Sequence, residues 1–152
     1  MNNVLHLSLL RAPEWPDPHA DEGRHEFTYS LYPHAKDWKS AMTVHRGYEL
    51  NYPLLTYVTS AHTGMLPATH SFFSSDANGT VITAIKQAED GNDLLVRMYE
   101  WEGKPATVKL SLPAGATAGS ATDLMEADDS TAPSTTIAPF EIKTVRVKVG
   151  GH

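Results

Sequence analysis

The sequence predicts a mainly β protein, an antiparallel β-sandwich with one helix and long loops. Three observations carry that prediction. Several short runs alternate apolar and polar residues with a period of two, as in Leu5-His6-Leu7-Ser8-Leu9 and Val108-Lys109-Leu110-Ser111-Leu112. Turn-forming groups such as Asp76-Ala77-Asn78-Gly79 and Asp90-Gly91-Asn92-Asp93 separate the later runs at short intervals. Only one stretch, Lys36 to Asn51, sustains a helical period.

Leu5, Leu7 and Leu9 form a first strand that stops at Arg11-Ala12-Pro13. From Arg11 to Arg24 the chain carries Pro13, Pro16, Pro18, Asp17, Asp21, Glu22 and Gly23, which set or bend the backbone and cannot continue a ladder, so a stiff acidic loop is expected. Phe27, Tyr29 and Leu31 resume the alternation, giving a second strand over 25–32 that pairs with the first. Trp38, Ala41, Met42 and Tyr48 share a helical face in the Lys36–Asn51 stretch, which Pro53 ends. Leu54 to Ser75 reads as extended loop with one short strand near Ser71 to Ser74.

Val81–Gln87, Leu94–Trp101 and Ala106–Leu112 then read as a three-stranded meander, with Val108, Leu110 and Leu112 facing a core. A strand follows at Ser120–Met125. The small-residue tract Ala127–Thr136 lacks the bulk for a core and is expected to be a mobile loop. Ile137–Val149 closes the fold. Its apolar phase changes between Phe140/Ile142 and Val145/Val147/Val149, which predicts a bulge near Lys143-Thr144, and His152, after two glycines, is expected to be disordered.

Composition narrows function. The 152 residues hold no cysteine, which removes disulfides and thiolate chemistry and fits a reducing, cytoplasmic compartment. A net charge of −6 without a dense basic cluster argues against nucleic acid, and no apolar run approaches a membrane span. The start Met1-Asn2-Asn3-Val4 lacks the pattern of a secretory signal.

The richest group of reactive side chains is Asp17-Pro18-His19-Ala20-Asp21-Glu22-Gly23-Arg24-His25. His19-x-Asp21 has the local spacing of a metal site, yet the same residues suit a solvated turn. Glu100 and Glu102 point the same way from one strand, about 7 Å apart, a separation a glycosidase pair uses, although acids at a hairpin end are usually just solvated. Trp15, Trp38 and Trp101, with Tyr29, Tyr32, Tyr48, Tyr52, Tyr57 and Tyr99, offer ring faces for sugars; core packing is the alternative, favoured for Trp38, Tyr29 and Tyr99.

The stretch Leu7-Ser8-Leu9-Leu10-Arg11-Ala12-Pro13, Pro16-Asp17-Pro18, Ala20-Asp21-x-Gly23-x-His25-x-Phe27-x-Tyr29 resembles a signature near the C-terminus of family 38 α-mannosidases. The likeness continues through Tyr48-Glu49-Leu50-Asn51-x-Pro53-Leu54, Ile85-Lys86-Gln87-Ala88-Glu89-Asp90, Thr122-Asp123-Leu124-Met125-Glu126 and Pro139-Phe140-Glu141-Ile142-Lys143-Thr144.

This resemblance implies that residues 1–75 end a large β-sandwich and that 76–152 form a small C-terminal one. It further implies a zinc-dependent, retaining α-mannosidase whose nucleophile, proton donor and zinc ligands lie in an N-terminal α/β catalytic domain. That domain would be this chain's partner, and an α-mannoside glycan its substrate. On this reading the chain holds no cofactor or catalytic residue, and alone it is inactive. His19-Ala20-Asp21 lacks the Trp that follows the family's zinc motif. Arg11, Asp17, Asp21, Arg24 and His25 are then expected to contact substrate in a complete enzyme, with a loop-bracing network as their structural alternative. A free-standing carbohydrate-binding or interaction module is the competing reading. An exposed apolar face on the N-terminal half, with self-association through it, is expected as well.

Overall fold

The computed structural model describes residues 4–129 and 135–150. The chain divides into two compact units, Met1–Ala35 and Lys36–His152.

In the first unit neither of the two alternating runs forms a strand. Leu5, His6 and Leu7 share a groove of about 360 Å³ with Tyr29, Ser30 and Leu31, so the expected neighbours do lie side by side. What is missing is the ladder. A two-stranded pair with both faces in water gains too little burial to hold one, and Leu5 and Leu31 are 81% and 74% exposed.

The second unit contains α1 (Thr43–Asn51), β1 (Ser74–Ser75), β2 (Thr80–Gln87), β3 (Leu94–Glu100), β4 (Ala106–Thr107), β5 (Leu110–Ser111), β6 (Ala116–Thr122), β7 (Asp128–Asp129), β8 (Thr136–Ile137) and β9 (Ile142–Val149). Five strands form one sheet in the order β2-β3-β9-β6-β7, while β1 pairs with β5 and β4 with β8 in two short ribbons. Every pairing is antiparallel.

The core lies against one face of the large sheet. Val96 and Met98 of β3 and Val145 and Val147 of β9 meet Val108 and Ile137 of the ribbon segments, with Phe73, Leu110 and Leu112 packed around them. The ribbons thus make the second layer, and the fold is the β-sandwich that the periodicity predicts.

Five sequence expectations change. The helix begins at Thr43 rather than Lys36. Asp37 accepts the Ser40 amide at 2.7 Å and closes a tight turn, and Met42 then takes a left-handed φ of 55°, so a continuous helix cannot run through it. It ends where Tyr52 precedes Pro53, with Tyr52 at an extended φ of −125°.

The third meander strand does not pair with β3. Residues 106–111 split between β4 and β5, and the other neighbour of β3 is β9, from Tyr99↔Ile142 to Leu94↔Val147. The predicted strand at Ser120–Met125 is shifted to Ala116–Thr122, because Asp123 turns the chain by accepting the amides of Met125 and Ala127.

No bulge occurs at Lys143-Thr144. The phase change has a simpler cause: β9 is central and covered on both faces, so Lys143 to Val147 are all buried, and Phe140 stands outside the strand in a left-handed conformation. The register shifts fall instead between Ile82 and Ala84 on β2 and between Ala118 and Ala121 on β6. Finally, the tract 127–136 contributes β7 and the start of β8, while 130–134 of that loop, like His152, lie outside the described residues.

Candidate functional site

The acidic loop of the first unit is a run of short-range hydrogen bonds. Asp17 accepts the His19 amide at 3.0 Å, and the Ala20 and Glu22 amides bond back to the carbonyls of Asp17 and His19. His19 Nδ1 donates to Glu22 at 2.6 Å, Arg24 pairs with Glu26, and His25 Nε2 donates to the Asp21 carbonyl at 2.7 Å. Gly23 follows at φ 129°, a conformation that side chains with a Cβ seldom adopt.

Of the five predicted contact residues, this network brings Asp21 and His25 together. Asp17 and Arg24 are engaged nearby with other partners, and Arg11 is exposed and enters none of these bonds. One polar atom is left over: Asp21 Oδ2 is buried yet has no hydrogen-bond partner among the described residues. A carboxylate oxygen in that state has spare capacity for a donor from outside the loop.

The His19-x-Asp21 spacing does not become a metal centre. The His19 imidazole is turned to Glu22, and among the described residues no group of three or more His, Asp or Glu is placed to hold an ion.

Glu100 and Glu102 are not a catalytic pair. Glu100 is 1% exposed and accepts three backbone amides, from Glu102 at 2.6 Å, Gly103 at 2.8 Å and Phe140 at 2.9 Å. Burial alone raises a carboxyl pKa, but these three amides, helped by the neighbouring Lys104 amide, outweigh it and hold Glu100 below the usual carboxylate range. It pins the turn after β3 to the approach of β9.

The aromatic residues separate by role. Trp101 is 3% exposed, with Trp38 5.8 Å away and His45 edge-on at 5.9 Å. Tyr29, expected in a core, is 69% exposed, because nothing among the described residues covers its segment, and Trp15 is 84% exposed.

Three of the candidate ring faces, Tyr48, Tyr52 and Tyr99, come together between α1 and β3, a convergence the sequence reading did not foresee. Tyr48, Tyr52, Asn51 and Tyr99 line a groove of about 350 Å³, with the Tyr48 and Tyr52 rings stacked at 5.9 Å. Burial and the Tyr48 hydroxyl together push Tyr99 up to about 12. The i, i+4 spacing of Tyr48 and Tyr52 was the available signal.

A second network occupies the sheet face away from the ribbons. Arg146 of β9 bonds Asp90 and Asp128 at 3.0 Å each and the Glu126 carbonyl at 2.8 Å. Lys86 bridges Glu89 and Glu126 at 2.7 and 2.5 Å. The hydrogen bond and charge of Arg146 lower the Asp90 pKa. Every cation here is matched by protein carboxylates, so the network braces the β2–β3 turn to the β6–β7 turn.

Comparison with known proteins gives the sandwich a context. Residues 79–145 match the model of the glycosyl hydrolases family 38 C-terminal beta sandwich domain. Alpha-mannosidase 2C1 of Mus musculus is 37% identical over 155 residues, covering 94% of this chain and 15% of that protein. Alpha-mannosidase G of Dictyostelium discoideum is 39% identical over 104 residues, covering 66% and 9%. A solved structure of a protein in glycosyl hydrolase family 38 from Enterococcus faecalis superposes with a TM-score of 0.62 at 25% identity, over 74% of this chain and 14% of that one. The chain spans about one-seventh of the length of the curated relatives that head this comparison.

Proposed function

This chain belongs to glycosyl hydrolase family 38, as a C-terminal region carrying its β-sandwich, and from that premise we propose that it is the accessory part of an α-mannosidase. The observation that carries the reading is the 37% identity spread over 94% of the chain, to a protein named for that activity. On this reading residues 1–75 finish a large β-sandwich, 76–152 form the small terminal one, and the partner is the catalytic domain of the same protein. Zinc and the retaining chemistry belong to that domain. Three of the chain's acids have structural partners: Glu100 is bonded to backbone amides, and Asp90 and Asp128 to Arg146. The absence of cysteine supports a cytoplasmic setting.

The loop bearing Arg11, Asp17, Asp21, Arg24 and His25 is assigned to the substrate side of the cleft. Its support is the orphaned Asp21 Oδ2, which an α-mannoside hydroxyl would satisfy. Two measurements test the proposal. The purified chain should not hydrolyse an aryl α-mannoside, with or without added zinc; turnover abolished by Asp21→Asn would overturn the accessory reading. In a longer family 38 protein carrying these residues, Asp21→Asn should raise KM severalfold while leaving the melting temperature in place. An unchanged KM would remove the loop from the cleft.

The tyrosine groove beside α1 favours a second reading, a free-standing carbohydrate-binding module. The reading frame upstream of the coding sequence decides between the two: an in-frame α/β domain with His-x-Asp-x-x-Trp would exclude the free-standing module.

A further inference from the structure

From Leu50 to Ser75 the chain contains no Asp, Glu, Lys or Arg. At the overall charged fraction of 20% a stretch of that length would hold about five such residues. The same stretch has little regular structure besides the end of α1 and the two residues of β1, and it contains the most exposed apolar side chains of the described residues. Leu54, Leu55, Tyr57, Val58 and Met65 are each 90% exposed or more, and no other large hydrophobic residue reaches that level. A solvated loop is normally rich in charge, whereas the centre of a protein interface is depleted of it and filled by apolar and aromatic groups.

We infer that residues 50–75 form an apolar strap that docks against the catalytic remainder of the family 38 protein. The inference rests on the reading of the chain as an accessory region. Three points select that occupant. An alignment covering 94% of the chain necessarily runs through the strap, and in the mouse relative the matched region is 15% of a longer protein, so most of that protein is available to cover it. Leu54 and Leu55, adjacent in sequence, are both bare, as are Tyr57 and Val58, so successive apolar groups of this irregular segment are uncovered together, which a surface wrapping the segment would satisfy better than one meeting a single face. A glycan would need several polar partners, and Leu54-Leu55-Thr56-Tyr57-Val58 offers two side-chain hydroxyls among three aliphatic groups.

The test compares amide exchange of residues 52–66 in the isolated chain with the same residues grafted into the mouse relative in place of its matching segment. Docking predicts exchange at least 100-fold slower in the longer protein. Leu55→Asp/Tyr57→Asp should lower the melting temperature of the longer protein and leave that of the isolated chain in place. Equal exchange in both settings overturns the inference. So does protection already present in the isolated chain together with a dimer mass, which would make a second copy the occupant, or protection produced by a mannose oligosaccharide. If the graft does not fold, exchange at the matching stretch of the unmodified relative decides by the same criteria. Protection without hydrolysis of an aryl α-mannoside would keep the strap and reject the activity reading.

Discussion

The runs 5–9 and 143–147 share a period of two and meet opposite fates. Val145 and Val147 are fully buried, while Leu5 and Leu7 are 81% and 63% exposed. Their local sequences do not account for the difference. β9 has β3 on one side, β6 on the other and the β4 and β8 segments over its core face, whereas 5–9 has the segment 25–32 beside it and no second layer among the described residues. Alternation says which side chains share a face; only a nonlocal layer turns a face into a core.

The largest test of that contrast is a pair of truncations. Met98→Ala, at a site 1% exposed, should cost about 2–5 kcal/mol, against less than about 0.5 kcal/mol for Leu31→Ala in the isolated chain, both measured by urea denaturation. A comparable cost at Leu31 would mean that the first unit has a core of its own.

Glu100→Ala should follow, at roughly 3 kcal/mol, because it removes the buried carboxylate that three part-buried backbone amides share as acceptor. The pH dependence has a definite sign. The folded-state pKa lies below the unfolded value, so the contribution is complete above about pH 4.5 and is lost as acid carries the solution down through the folded pKa. Acid unfolding of Glu100→Gln should lack that component.

Gly103→Ala should cost about 2 kcal/mol by thermal melting. Gly103 sits at φ 76°, and a Cβ there would stand 2.5 Å from Phe140 Cζ. Pairing it with Phe140→Ala should relieve the clash and leave only the backbone penalty of about 1 kcal/mol.

The smallest effect is expected at Tyr48→Phe. Without the Tyr48 hydroxyl, Tyr99 should titrate below its value of about 12, visible as tyrosinate absorbance at 295 nm. The folded state holds this phenol protonated beyond the ordinary value of 10, so its stabilisation is in place below pH 10 and lost between 10 and about 12. An unchanged titration would assign the shift to burial alone.

The strands flanking Asp90–Asp93 were legible to within a residue, because turn chemistry and alternation agree there. The third strand was legible as a segment but not in its pairing: β4 and β5 find their partners near residues 137 and 74, and nothing local to 106–111 names them. Glu100 was misread for the same reason, since one of its three donors lies on Phe140. In the acidic loop the composition was legible. The separate engagement of Asp17, Asp21, Arg24 and His25 was not, because each could equally have bonded several neighbours.

By itself the sequence determined the β class, most strand positions, the lack of thiol chemistry and the family signature from Leu7 to Thr144. Those are properties of local periodicity and of residue identity. The tertiary structure decided which alternating run is a core, which carboxylate is buried, and that Arg146 draws Asp90 and Asp128 into one brace. Burial and charge pairing depend on what residues far along the chain bring to the same place, and a pattern with a period of two carries no information about that.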